Sequence, residues 1–231
     1  VNRKIKSVFI ILTPIIWGKG FAQDHTDIPS SKTSISVPIN AEIFGTNRGL
    51  AFQMIMDKKF QTIPKLGIFS VSSLVGEWND NKIYDYMTQS SLTYEVIKGL
   101  RFTGGFHVTP VKAMRPIAGI LYTVATPTFL FVATSRIDFS KDTNLEGLVL
   151  FEYKPKINDQ CNFFSKIQAL YEYSTVIDLQ TRSYFIARAG LSYKEFSFGL
   201  GSNIDYYGPE KHKENSFGGF KIFFDQSAMD L

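Results

Sequence analysis

Residues 91–109 read SLTYEVIKGLRFTGGFHVT. Leu92, Tyr94 and Val96 fall on one face of an extended chain, with Ser91, Thr93 and Glu95 on the other. After Lys98-Gly99 the pattern resumes, Leu100, Phe102, Phe106 and Val108 opposing Arg101, Thr103, His107 and Thr109. Alternation with a period of two is the mark of a strand with one apolar and one polar face. A two-residue break that ends in glycine marks a tight hairpin between two such strands. Just upstream, Tyr86 opposes Asp85 and Gln89 in the same phase.

The same pattern extends outward in both directions. Toward the N-terminus, Ile35, Val37, Ile39, Ala41 and Ile43 alternate with Ser34, Ser36, Asn40 and Glu42. A Gly45-Thr46-Asn47 turn follows, and then Leu50, Phe52, Met54 and Met56 alternate with Ala51, Gln53 and Asp57. Gly67, Phe69 and Val71 share a face, but the phase changes at Ser72-Ser73 before Leu74 and Trp78, which reads as a bulge. Toward the C-terminus, residues 115–124 and 129–140 form a hairpin about Thr126-Pro127-Thr128, with Thr134, Arg136 and Asp138 opposing Phe131, Ala133, Ile137 and Phe139. Strands are expected at 145–155, 161–173, 182–193 and 195–207. There Lys166, Gln168 and Glu172 oppose Ile167 and Tyr171, and Arg182 and Arg188 oppose Phe185, Ala187 and Leu191. A last strand over 215–225 puts Phe220, Ile222 and Phe224 on one face.

The fold class this predicts is all-β: a single antiparallel up-and-down barrel of about 12 strands. The count falls to ten or eleven if weak segments such as 35–44, which contains Pro38, are set aside. With twelve strands both termini lie on one side. The even-numbered connections, Lys98-Gly99, Thr126-Pro127-Thr128 and Lys194-Glu195 among them, are then expected to hold the tightest turns on that side.

Composition agrees with a sheet. Among 231 residues, 21 Phe and 11 Tyr favour strands and membrane interfaces. A mean hydropathy of −0.03 fits a sheet with one apolar and one polar face. The net charge of +4 is scattered with no basic face, so no nucleic acid is expected as a partner. Cys161 is the one cysteine, which excludes an internal disulfide and a cysteine metal cluster. Gly104-Gly105 and Gly218-Gly219 precede no helix, and Asp142, Glu146 and Asp159 lack the spacing of a calcium loop, so no cofactor or metal site is expected.

The N-terminal stretch has an export pattern. Arg3, Lys4 and Lys6 precede the apolar run Val8 to Trp17, and Gly20-Phe21-Ala22 supplies small residues two apart. The run is well short of the ~20 residues a spanning helix needs. Residues 1–23 are therefore expected to be a cleaved signal peptide, 24–33 a short periplasmic segment, and 34–231 the barrel.

Over about residues 33–225 the chain resembles the outer-membrane β-barrel proteins of Gram-negative bacteria. Gly219, Ile222 and Phe224 match the spacing of that class's terminal assembly signal; Phe217 stands where a polar residue belongs, and Gln226 to Leu231 follow the strand. The resemblance implies a transmembrane barrel in the outer membrane, with lipid and the barrel-assembly machinery as partners. Its implied interior-lining residues are Asp85, Glu95, Arg101, His107, Arg136, Asp138, Glu172, Arg182 and Arg188. The function expected is a narrow channel or passive transporter for small solutes, more in keeping with a non-enzyme than an enzyme. Two alternatives stay open: an outer-membrane enzyme acting on lipid or lipopolysaccharide, and a soluble periplasmic barrel binding an apolar ligand. For the enzyme, His107 beside Thr109 is the candidate, against a histidine that simply bonds a neighbouring carboxylate such as Glu95.

Overall fold

A computed structural model describes residues 39–80, 83, 85–110, 112–194 and 196–208, together with the backbone of 211–224. The expected signal peptide and N-terminal segment lie outside the described residues, as does the first part of the strand expected from residue 35. Twelve strands follow in order: β1 (Ile39–Thr46), β2 (Gly49–Lys59), β3 (Leu66–Glu77), β4 (Asp85–Ile97), β5 (Leu100–Val108), β6 (Arg115–Ala125), β7 (Phe129–Asp138), β8 (Asn144–Tyr153), β9 (Cys161–Ser174), β10 (Leu179–Tyr193), β11 (Phe196–Tyr207) and β12 (Lys211–Phe224). Each pairs with its sequence neighbours, and β1 pairs antiparallel with β12 from Ile39–Phe224 to Thr46–Phe217, so the sheet closes into a barrel. Closure satisfies the edge hydrogen bonds that lipid cannot. Because the strand number is even, β1 begins and β12 ends at the same rim, called basal here; the opposite rim is distal.

Two-residue connections occur at both rims, contrary to the expectation that the tightest turns all lie on the terminal side. Asn47-Arg48 turns at the distal rim because the Thr46 side chain serves it locally. Its Oγ1 accepts from the amides of Arg48 at 3.1 Å and Gly49 at 2.9 Å and donates to the Gly49 carbonyl at 2.8 Å. At the basal rim Lys98-Gly99 turns through a left-handed Gly99, φ 83°.

Alternation sorts side chains into two environments. Outward-facing Leu92, Phe102, Ile167, Tyr171, Leu191 and Leu200 are exposed, Leu200 at 72%. Their alternate neighbours, Thr93, Arg101, Lys166 and Gln168 among them, are buried at 3% exposure or less. A water-soluble barrel shows the reverse arrangement; an apolar outside around a charged inside is the arrangement of a transmembrane barrel. Outward aromatics gather toward the rims. On the basal side Tyr122 meets Phe131 edge-on at 6.3 Å between ring centres, and Phe129 stacks on Phe151 at 6.4 Å. At the distal rim the Trp78 indole donates to the Thr46 carbonyl at 2.9 Å. Such amphipathic rings suit the headgroup level.

The bulge expected at Ser72-Ser73 is absent: β3 keeps continuous register with both β2 and β4. What changes there is polarity. Phe69 and Val71 point inward at 2% and 3% exposure, while outward Ser70 and Ser72 meet hydroxyls of the next strand, Ser90 at 2.9 Å and Thr88 at 3.3 Å. Ile68 and Leu74 are apolar on the same outward face, so the two outward serines between them, beside inward Phe69 and Val71, imitate a slip of phase. The true register shifts lie between Glu95 and Ile97 and between Gln180 and Arg182.

Candidate functional site: the charged interior

The interior is built in three zones, and barrel closure brings together partners far apart in sequence. In the basal half, the carboxylate of Glu42 on β1 lies 2.9 Å from Lys166 Nζ on β9 and 3.0 Å from Arg188 Nε on β10. Lys166 also donates to Gln53 Oε1 at 2.9 Å, and the Arg188 guanidinium lies 4.7 Å from the Phe44 ring centre. Glu42 and Lys166 are each 1% exposed, so the cross-barrel pair is withdrawn from water. Beside it, Arg101 grips Asp57 with two parallel bonds of 2.5 and 2.6 Å and donates to Thr123 Oγ1 at 2.7 Å. A bidentate fork of this kind is the strongest form of carboxylate recognition a side chain offers. Nearer the basal rim, Glu95 takes Lys59 at 2.5 Å and the Gly99 amide at 2.9 Å.

The second zone is apolar. Ile55, Phe69, Val71, Leu121, Val132 and Leu150 belong to one buried cluster that spans β2 to β10 within the barrel. Between this cluster and the polar side chains of Asn40, Asp57 and Gln168 lies a void of about 20 Å³, room for about one water. Eight strands are the number whose interior side chains can just fill. Here large apolar groups, from Phe69 to Leu150, narrow a wider barrel from within.

The distal zone is charged again. Arg136 bonds Glu146 through Nε at 2.7 Å and Nη2 at 2.5 Å, and Arg115 bonds Asp138 at 2.5 Å. Asp138 also accepts from Ser140 Oγ at 2.7 Å and the Asn144 amide at 3.0 Å, which fixes the turn above β8. Asn144 Nδ2 donates to Glu172, whose strand position faces Glu146 directly. Arg182 reaches Asp205 at 3.1 Å and lies over the rings of Tyr184 and Tyr207 at 5.4 and 5.2 Å. At the rim, Arg48 bridges Glu77 at 2.6 Å and Asp85 at 3.4 Å. Burial lowers the pKa of the Arg48 guanidinium, and the hydrogen bonds and charges of Glu77 and Asp85 more than offset this, leaving it above its ordinary value.

The structure places Asp85, Glu95, Arg101, His107, Arg136, Asp138, Glu172, Arg182 and Arg188 on the inward face, but in separate zones. Glu95, Arg101 and Arg188 are basal; the other six are distal. His107 does not bond Glu95, which lies at the other end of β4: the register partner of His107 there is Gln89. Its Nδ1 is 2.9 Å from Arg115 Nη2. Sequence reading leaves out the partners that organise the site, Arg115 above all, and Glu42, Asp57 and Glu146. Arg115 had one available signal, a basic residue in phase with Ile117 and Leu121 on a strand whose two faces are both largely apolar.

No protein-family model matches the chain, and no curated protein matches it. Among solved structures it is similar to a NanC porin in a rhombohedral crystal form, with 11% identity over 80% of this chain and 98% of that one and a TM-score of 0.45. The KdgM porin in complex with disordered oligogalacturonate is 12% identical over 82% of this chain and 100% of that one, at 0.43. Pseudomonas aeruginosa OprD is 10% identical over 77% of this chain and 59% of that one, at 0.39. Each is a distant likeness in sheet architecture.

Proposed function

We propose that this chain is an integral outer-membrane β-barrel that passes small solutes through a narrow interior. The observation that carries this reading is the polarity of the twelve-stranded wall: an exposed apolar face outside, ionic side chains of both signs inside. Charged side chains occupy both ends of the interior, Arg136, Arg182 and Glu172 on the distal side and Glu42, Lys166 and Arg101 on the basal side, where the apolar cluster of Phe69 and Leu150 packs beside them. Charges inside low-dielectric walls act strongly on a passing ion, and an apolar constriction admits water sparingly. Outside the described residues, the export pattern of 1–23 supports delivery across the inner membrane, with the mature chain beginning at Gln23 or Asp24.

Planar-bilayer recording of the refolded protein tests this. Wild type should give small, discrete conductances, and Phe69→Ala with Leu150→Ala should enlarge them by opening the apolar cluster. Replacing Arg136 and Arg188 by Glu should move the reversal potential toward cations. Silence from both wild type and the double-alanine variant would overturn solute passage.

A further inference from the structure

His107, Arg115 and Arg136 stand on consecutive strands β5, β6 and β7 near the distal rim, each no more than 6% exposed. An arginine can only donate, so the 2.9 Å contact makes His107 Nδ1 the acceptor and leaves the ring proton on Nε2. That Nε2, together with Arg115 Nε and Arg136 Nη1, is buried with no hydrogen-bond partner in the protein. Three unmet donors in one neighbourhood call for an acceptor-rich group. Just below, β5 and β6 turn Thr103, Gly105 and Gly119 to the interior, and the two glycines add no side chain there. A Cβ on Gly105 would meet the Ser90 carbonyl at 2.0 Å and one on Gly119 the Ser135 carbonyl at 2.3 Å, so neither position can carry a filling side chain.

On the facing side Arg182, the register neighbour of Glu172, is engaged by Asp205. Glu172 takes a hydrogen bond from Asn144 and has no basic side chain within ion-pair distance among the described residues, and Asn144 Oδ1 is a buried acceptor without a partner. Arg115 and Arg136 both act electrostatically on His107 and on Glu172, so the donor and acceptor sides share one field. Three arginines there, Arg115, Arg136 and Arg182, face four carboxylates, Asp138, Glu146, Glu172 and Asp205. A bare anion would satisfy the donors while adding a further negative charge to a buried cluster already in carboxylate excess. A solute that also carries an ammonium group for Glu172 avoids that.

We infer that the distal zone is a binding site for small zwitterions of the α-amino-acid type, the carboxylate held by His107, Arg115 and Arg136 and the ammonium by Glu172 and Asn144. This rests on the reading of an interior open to small solutes. The test reads His107 itself, through its Cε1–Hε1 NMR resonance in protein reconstituted into nanodiscs, identified by its loss in His107→Gln. Glycine should shift it saturably, at concentrations at least about tenfold below those needed with acetate or methylammonium, as one added charge-assisted contact implies. Glu172→Gln should abolish the advantage of glycine over acetate, and the charge-balanced pair Arg136→Gln with Glu146→Gln should abolish the response to both; heat-modifiability on gels checks that each variant is folded. A wild-type resonance that glycine leaves in place, or moves no better than acetate, overturns the site. Bilayer recording separates the two proposals: binding without conductance keeps the site and removes passage, and conductance without a glycine response removes the site.

Discussion

Asp57 and Arg101, at 5% and 3% side-chain exposure, form the tightest interior fork. Taking one member away leaves the other charged and buried, which costs more than the pair itself contributes. Asp57→Ala should therefore lower the stability of the refolded barrel by ~3–5 kcal/mol, read by urea unfolding in lipid vesicles, and Arg101→Ala added to it should recover part of the loss. Double-mutant loss equal to the sum of two independent losses would show the fork is unimportant. Sequence alternation shows Arg101 to be inward, since its neighbours Leu100 and Phe102 are apolar. It does not show the partner: Asp57 is 44 positions away on a strand three places round the wall. Lys166 and Glu42, 124 positions apart, are hidden in the same way. Pairing across a barrel is a property of closure, and closure leaves no local pattern in the chain.

Among the elements, β9 is read most readily because every inward side chain from Lys166 to Glu172, Leu170 excepted, is polar and every outward one apolar or small. An arginine on the lipid face near mid-height should cost ~2–4 kcal/mol. Ile167→Arg and Ala187→Arg should thus reduce vesicle insertion, measured as the heat-modifiable fraction on gels, much more than Arg188→Ala does. Equal losses would mean the faces are misassigned. The strands that resist reading are β3 and β8. Leu148 and Leu150 on β8 face inward while Val149 and Phe151 face out, so the run is apolar on both sides and period two disappears. In β3 the inward face is apolar at Phe69 and Val71 while serines interrupt the outward one at 70 and 72. Both effects have one cause, the apolar zone within the barrel, which a rule of polar interior and apolar exterior does not anticipate. Turns behave more simply: Gly99, at φ 83° with the Thr123 carbonyl 2.7 Å from where a Cβ would sit, should tolerate no side chain. Gly99→Ala is expected to destabilise by at least ~1–2 kcal/mol from the left-handed backbone alone, measured by the same urea titration.

For the whole molecule, everything turns on which side of the wall meets lipid. Apolar side chains lie on both sides of it, so composition cannot decide this; exposure does, with Ile167 at 50% and Leu200 at 72% against Lys166 at 1%. Export should follow from the same architecture, and N-terminal sequencing of protein recovered from the outer membrane is expected to begin at Gln23 or Asp24; retention of Val1 would contradict cleavage. The orientation of the wall is tested most directly with single tryptophans at positions 167 and 200, in a chain whose Trp17 and Trp78 are replaced by Phe. In vesicles carrying brominated acyl chains, both should be strongly quenched by the lipid and little affected by aqueous acrylamide. Quenching by acrylamide and indifference to brominated lipid would place the apolar face in water and contradict the transmembrane barrel.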